Sequence, residues 1–214
     1  MDYKLMYCRV IRLKGDPNNT EEAIKSWING LLPALKQQPG FAGATLAGNR
    51  TTGEGLGVSY FESERTMIDA RDRVRPEAMK VMDAVGSTIV EEDTCEVAVS
   101  ERFKPAKSGA FVRVTTVQAD PAHIAEGIKY FQEKVVPSLR TQPGVRGAFS
   151  FVNRESGKTF AGSWWDSQAD LDNSESAIRD LREDTIKKIG GKASKVEAFE
   201  VYYTEILAPA FAGR

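Results

Sequence analysis

Residues 38–50 read QPGFAGATLAGNR, and residues 142–154 read QPGVRGAFSFVNR. The second phrase follows the first at an offset of 104 residues, and that offset holds along most of the chain without a gap. Arg9-Val10 returns as Arg113-Val114, Asp16-Pro17 as Asp120-Pro121, Glu22 as Glu126 and Pro33 as Pro137. Asn49-Arg50, Gly53, Ser59 and Ser63 return as Asn153-Arg154, Gly157, Ser163 and Ser167. Near the ends, Glu96-Val97 and Glu101 return as Glu200-Val201 and Glu205. Roughly a quarter of the paired positions are identical, against roughly one in sixteen by chance, so the chain is an internal duplication. The expected division is residues 1–104, a linker at 105–109, and residues 110–214. The linker lies in KPAKSG, a short polar stretch rich in helix and strand breakers.

Each half spells the same order of elements. YCRVIRL and AFVRVTTV are β-branched and aromatic and read as first strands. Asp16-Pro17 and Asp120-Pro121 then offer a capping carboxylate and a first-turn proline. Ile24, Trp27, Ile28, Leu31 and Leu35 follow at helical spacing, as do Ile124, Ile128, Phe131, Val135 and Leu139. Pro33 and Pro137 are expected to kink or weaken the last turn. QPG stops the helix, and two strands joined through NRTTGE or NRESGK make a hairpin. Ser63 and Ser167 open a second helix, and CEVAVSERF and FEVYYTEIL close the units as final strands. The order β-α-β-β-α-β is the ferredoxin-like motif. Apolar residues stand on both parities of the strands, so both sheet faces are expected to be covered. Helices would cover one face and the duplicated partner the other. The predicted fold is therefore α+β, with two tandem ferredoxin-like units packed sheet to sheet as an intramolecular dimeric α/β barrel.

Bulk composition bounds the partners. The 214 residues are 41% hydrophobic and 28% charged, with a net charge of −1. No basic excess is available to neutralise phosphates, so a nucleic-acid partner is not expected. No apolar run reaches the length of a membrane span, and the opening MDYKLMYCRVIRLKG has no apolar leader core. A cytoplasmic protein is the expectation. Cys8 and Cys95, with His123 as the single histidine, leave no metal-ligand pattern. Their counterparts Val112 and Phe199 mark the cysteines as core fillers. A disulfide between neighbouring strands is geometrically open to them, but not expected in a reducing compartment.

Arg9 and Arg113 each sit in the middle of a first strand, central in this fold. A buried arginine needs a partner. Glu96 and Glu200, or Glu101 and Glu205, on the final strands are the expected ones. The alternative role is an arginine on a pocket wall that binds an anionic or enolate oxygen. His123 lies in a first helical turn, where a solvated residue and a general base at a pocket mouth are both open readings. Trp27 and its counterpart Phe131 belong to the helical core stripe and are candidates for lining the same pocket.

At this point the chain resembles the antibiotic biosynthesis monooxygenase family of the dimeric α/β barrel superfamily. The resemblance covers both halves. It rests on QPGFAGA and QPGVRGA leading into the second strands, and on YFESE and WWDSQ, where the third strand runs into the second helix. Most members pair two chains; here the pair is fused, with further self-association left open. The resemblance implies a cofactor-independent monooxygenase-like protein acting on a small aromatic or quinol compound. The alternatives are a non-catalytic small-ligand-binding or stress-response protein of the same superfamily, and a purely structural duplication without a pocket. It also implies that Trp165, and Phe61 in the first half, stand where relatives place a pocket aromatic. The family's haem degraders use a second-helix histidine and a first-strand asparagine, and this sequence has neither. No cofactor and no metal are expected. The second half carries more large aromatics, so the site is sought there first.

Overall fold

The computed structural model describes residues 6–105 and 107–207. The first half contains β1 (Tyr7–Lys14), α1 (Thr20–Ser26), α2 (Leu32–Lys36), β2 (Phe41–Gly48), β3 (Glu54–Phe61), α3 (Glu64–Val85) and β4 (Thr88–Arg102). The second contains β5 (Phe111–Gln118), α4 (Ile124–Tyr130), α5 (Val136–Arg140), β6 (Val145–Val152), β7 (Lys158–Trp165), α6 (Gln168–Asn173), α7 (Glu175–Lys188) and β8 (Lys192–Ile206). In hydrogen-bonding order the strands run β1-β3-β2-β8-β5-β7-β6-β4 and close into a barrel. This is the expected intramolecular dimeric α/β barrel of two ferredoxin-like units. Among the described residues no helix is long and apolar enough to cross a membrane.

The expected local signals hold. Asp16 and Asp120 cap their helices by accepting from the amides of Asn18 and Ala122, each at 2.9 Å. Ser63 and Ser167 do the same for Thr66 and Asp170. Asn49 turns its hairpin by accepting from the amides of Thr51 and Thr52, and Asn153 from those of Glu155 and Ser156. Gly43 and Gly147, in the repeated phrase, sit at irregularities of the β2–β3 and β6–β7 registers. There a strand passes so close that a Cβ would lie 2.4 Å from the Glu205 carbonyl oxygen or 2.5 Å from that of Glu101.

The distortion expected at Pro33 and Pro137 is present, and the helix continues past it. A single wide turn precedes each, Trp27–Leu31 and Phe131–Val135, in which the Leu32 amide reaches the Trp27 carbonyl and the Val136 amide that of Phe131. In a regular helix the proline ring would collide with the carbonyl four residues back. The π-helical turn relieves that clash and lets the helix continue.

The final strands are longer than expected. They begin at Thr88 and Lys192 and run 15 residues each. The first half of β4 carries Glu91 and Glu92, which meet Arg12 and Arg9 of β1. Both strands also pass between compact units. The first unit holds the chain up to Thr94 and takes in the stretch from Val201; the second holds Cys95 to Glu200.

Each unit packs its helices on one sheet face. In the first, Trp27, Leu31, Leu35, Leu46, Phe61 and Ala78 belong to that core. In the second, Phe131, Val135, Leu139, Leu171, Trp165 and Ile178 do. Cys8 and Cys95 are buried and unbridged.

The close approach at the register irregularities gives a first test. Gly43→Ala and Gly147→Ala are each expected to lose about 1–3 kcal/mol, the usual cost of forcing an extra methyl into a packed site. Urea melts measure this, and a wild-type midpoint for both variants would show that the approach is looser than described.

Candidate functional site

Both units carry a cavity of about 80 Å3 under the helices, but the two differ in depth and charge. In the second unit, Arg113, Thr115 and Val117 alternate along β5 and so share the helix-facing side of the sheet. With Ser150 of β6 and Ser163 of β7 they form the floor, and Phe131, Ile178 and Arg182 come from the helical side. In the first unit the cavity includes Leu13, Trp27, Leu46, Asp16 and Glu54 and stops short of Arg9. The offset of 104 explains the contrast. Leu46 and Ala78 are core residues in the first unit. Their counterparts are Ser150 and Arg182 on the second cavity's wall. Ile11 becomes Thr115, and Trp27 becomes the smaller Phe131.

The paired arginines are both buried, Arg9 at 7% exposure and Arg113 at 5%. Their partners are not the glutamates expected from the sequence. Arg9 Nε meets Glu92 Oε1 at 2.8 Å. Glu96 instead pairs with Arg154, Glu101 with Arg140 and Glu205 with Lys36. In the register of β5 on β8, Arg113 stands opposite Ala198 and Glu200 opposite Phe111. Val196 holds the place of Glu92 in the second half, so Arg113 turns to the helices. Its Nη1 donates to Ser174 Oγ at 3.0 Å and its Nη2 to the Leu171 carbonyl at 2.6 Å. Nη2 also lies 3.1 Å from Glu175 Oε2. The helix opens for this. α6 ends at Asn173 and α7 starts at Glu175, where the first unit has one helix. Asn173 and Ser174 favour such a break because their side chains compete for backbone groups.

Glu175 is shared. Arg182 Nη1 donates to the same Oε2 at 3.2 Å, and its Nη2 to Oε1. The Arg182 hydrogen bonds, reinforced by the charges of Arg113, Arg182 and Arg179, hold the Glu175 carboxyl below its ordinary range. Burial lowers the pKa of Arg113, against the opposing pull of Glu175 and Asp172. Among the described residues the cavity wall itself carries two guanidinium groups and no carboxylate.

The other candidates fall in distinct places. Phe131 lines the second cavity and Trp27 the first. Trp165 is fully buried behind the wall, donates from Nε1 to Ser163 Oγ at 2.9 Å, and has the Arg113 guanidinium 5.9 Å from its ring centroid. Phe61 is its buried equivalent, edge-on to Phe41. His123 is exposed, 3.7 Å from Asp120, and outside the cavity lining. Arg182 and Glu175 escaped the sequence reading. The signal for Arg182 was its phase: it lies four residues from both Ile178 and Ile186, an arginine on an apolar stripe.

No family model matches the sequence. Two uncharacterized proteins of Mycobacterium tuberculosis are similar along nearly the whole chain. One is 23% identical over 96% of this chain and 91% of its own length, the other 24% over 96% and 87%. Among solved structures, an anthrone oxidase-like protein has a TM-score of 0.68 at 13% identity, covering 100% of this chain and 98% of its own. A candidate monooxygenase from Fusobacterium nucleatum has a TM-score of 0.69 at 12% identity over the full length of both chains. A ferredoxin-fold protein of Listeria monocytogenes related to antibiotic biosynthesis monooxygenases reaches 0.55 at 13% identity over 92% and 96%. At these identities the likeness establishes the shared dimeric α/β barrel fold.

The first unit supplies a pH test. The hydrogen bond from Arg9 holds the Glu92 carboxyl below its ordinary pKa. Stability from such a group is present above its unfolded pKa, about 4.3, and is lost as pH falls through the depressed folded value. Glu92→Gln is therefore expected to cost about 1–3 kcal/mol at pH 7 and to flatten the acid limb of the stability curve below about pH 4. Urea melts across pH 3–7 check it; parallel wild-type and variant curves would show that the pair contributes nothing.

Proposed function

We propose that the chain is a monooxygenase-like protein that takes a small aromatic or quinol compound into the second unit's cavity. The observation that carries this reading is the apolar cavity with the buried Arg113 guanidinium on its wall. A deprotonated, electron-rich ring reacts with oxygen when it is held dry and its negative charge is stabilised. In this reading Arg113 does the second, and the surrounding aliphatic side chains the first. For a quinol, one oxygen atom would enter a ring carbon and the other leave as water, all four electrons coming from the substrate.

No histidine or carboxylate lines this cavity among the described residues, so the substrate is taken to enter as its anion. The rate is then set by the substrate's own ionisation. Size limits the substrate too. About 80 Å3 is several times what one water needs but below the roughly 150 Å3 that accepts benzene, so a single ring fits only with part of it in the mouth. The same lack of a base favours the second reading, a ligand-binding protein without turnover.

Oxygen uptake separates them. Purified protein is run with single-ring quinols, naphthoquinols and anthrones, beside Arg113→Met and His123→Gln. The expected outcome is uptake above the protein-free rate, greatest for single rings, rising with pH through the substrate's pKa. Uptake should fall at least tenfold in Arg113→Met, as expected for loss of one preorganised anion-stabilising group, and persist in His123→Gln. No uptake, with a ligand-dependent rise in Tm, would select the binding reading.

A further inference from the structure

The second cavity differs from the first in more than depth: the charge on its wall is reversed. Among the described residues, the charged ones lining the first cavity are Asp16 and Glu54, and those lining the second are Arg113 and Arg182. The carboxylate that both arginines share, Glu175, leaves its side chain 41% exposed and is not part of the lining. The nearby charges are otherwise Asp172 on α6 and Arg179 on α7, the latter paired with Asp180. The positions that set this wall lie together around the second cavity. Where the first unit packs Leu46 and Ala78, the second has a hydroxyl and a guanidinium. Thr115, Ser150, Thr159 and Ser163 add buried hydroxyls on the strand side. A purely structural arginine would not need an apolar void before it, and a purely hydrophobic site would not need two guanidinium groups.

We propose that the second unit holds one organic monoanion per chain, its carboxylate or phenolate oxygens taken by Arg182 and Arg113 in place of Glu175, and its compact apolar body lying between Phe131 and Ile178. This rests on reading the second cavity as the ligand site. It names Arg182 as a specificity-determining residue and Glu175 as an internal competitor for the anion position. Among the described residues the first cavity offers no guanidinium to the same ligand, so the two halves bind unequally. A guanidinium offers a planar two-point contact to a carboxylate, and a second one beside it favours a charged over a neutral head group of equal shape.

The test uses redox-inert probes, so it stands apart from oxygen uptake. Benzoate and hexanoate are titrated calorimetrically into the full chain, beside benzamide and hexanamide as neutral isosteres. The expected result is one equivalent of carboxylate per chain, bound at least about tenfold more tightly than the amide. Arg182→Met should weaken carboxylate binding about tenfold or more and leave amide binding unchanged, with Arg182→Lys recovering part of the loss. Glu175→Gln should strengthen carboxylate binding, because it removes the competitor. A structural role for these residues would weaken binding in both variants, so opposite signs are the decisive readout. Equal affinity for amide and acid, two equivalents per chain, or weakened binding in Glu175→Gln would each overturn the proposal. Oxygen uptake without carboxylate binding would leave the oxygenase reading standing and remove this one.

Discussion

A guanidinium at the midpoint of a strand, roofed by helices, has to be neutralised. Leaving it unpaired in a low-dielectric interior costs several kcal/mol. Both units of this chain carry that constraint at the same place, Arg9 and Arg113. They meet it differently, and most of what distinguishes the units follows. The first unit answers from the sheet. Glu92 sits on the neighbouring final strand, and the helix above is free to run unbroken from Glu64 to Val85. The second has Val196 where that glutamate would be. The helix must answer instead, and it does so by opening at Ser174 to present a hydroxyl, a carbonyl and the Glu175 carboxylate.

That second solution leaves the arginine at the wall of a void rather than inside a filled strand pair. In the first unit Trp27, Leu46 and Ala78 belong to the core, and the cavity there stops short of Arg9. A buried leucine side chain contributes about 1.5–3 kcal/mol, so replacing it by Ser150 is a real loss of core for the second unit. A ligand with an apolar body and an anionic head would restore both kinds of interaction at once.

The fold was legible because the repeat is self-checking. A capping aspartate, a helix-ending QPG and a hairpin loop opened by Asn and closed by Gly are short-range signals, and seeing each twice removes most ambiguity. What the sequence hid were the long-range choices. Glu91 and Glu92 look like solvated charges until Arg12 and Arg9 are known to lie across from them. Prolines 33 and 137 read as residues that kink or weaken the last turn; the form the distortion takes, a wide turn, has no residue signature of its own. Of the cavity, Arg113 and Phe131 were readable from their strand and helix positions. Arg182 showed only its phase on an apolar stripe and Glu175 nothing: their roles depend on the break at Ser174, and so on which carboxylate a distant strand lacks.

The fusion of the two units has a consequence of its own. In a dimer of identical chains every mutation is made twice, so a change that empties part of the core costs stability in both subunits. Here the strands that pass between the units, residues 88–102 and 192–206, belong to one polypeptide, and each half mutates alone. One half can stay a conservative scaffold while the other explores weaker packing and misplaced charge. Symmetry, once lost through covalent linkage, becomes a resource: Glu92 and Val196 record that division of labour in a single pair of positions.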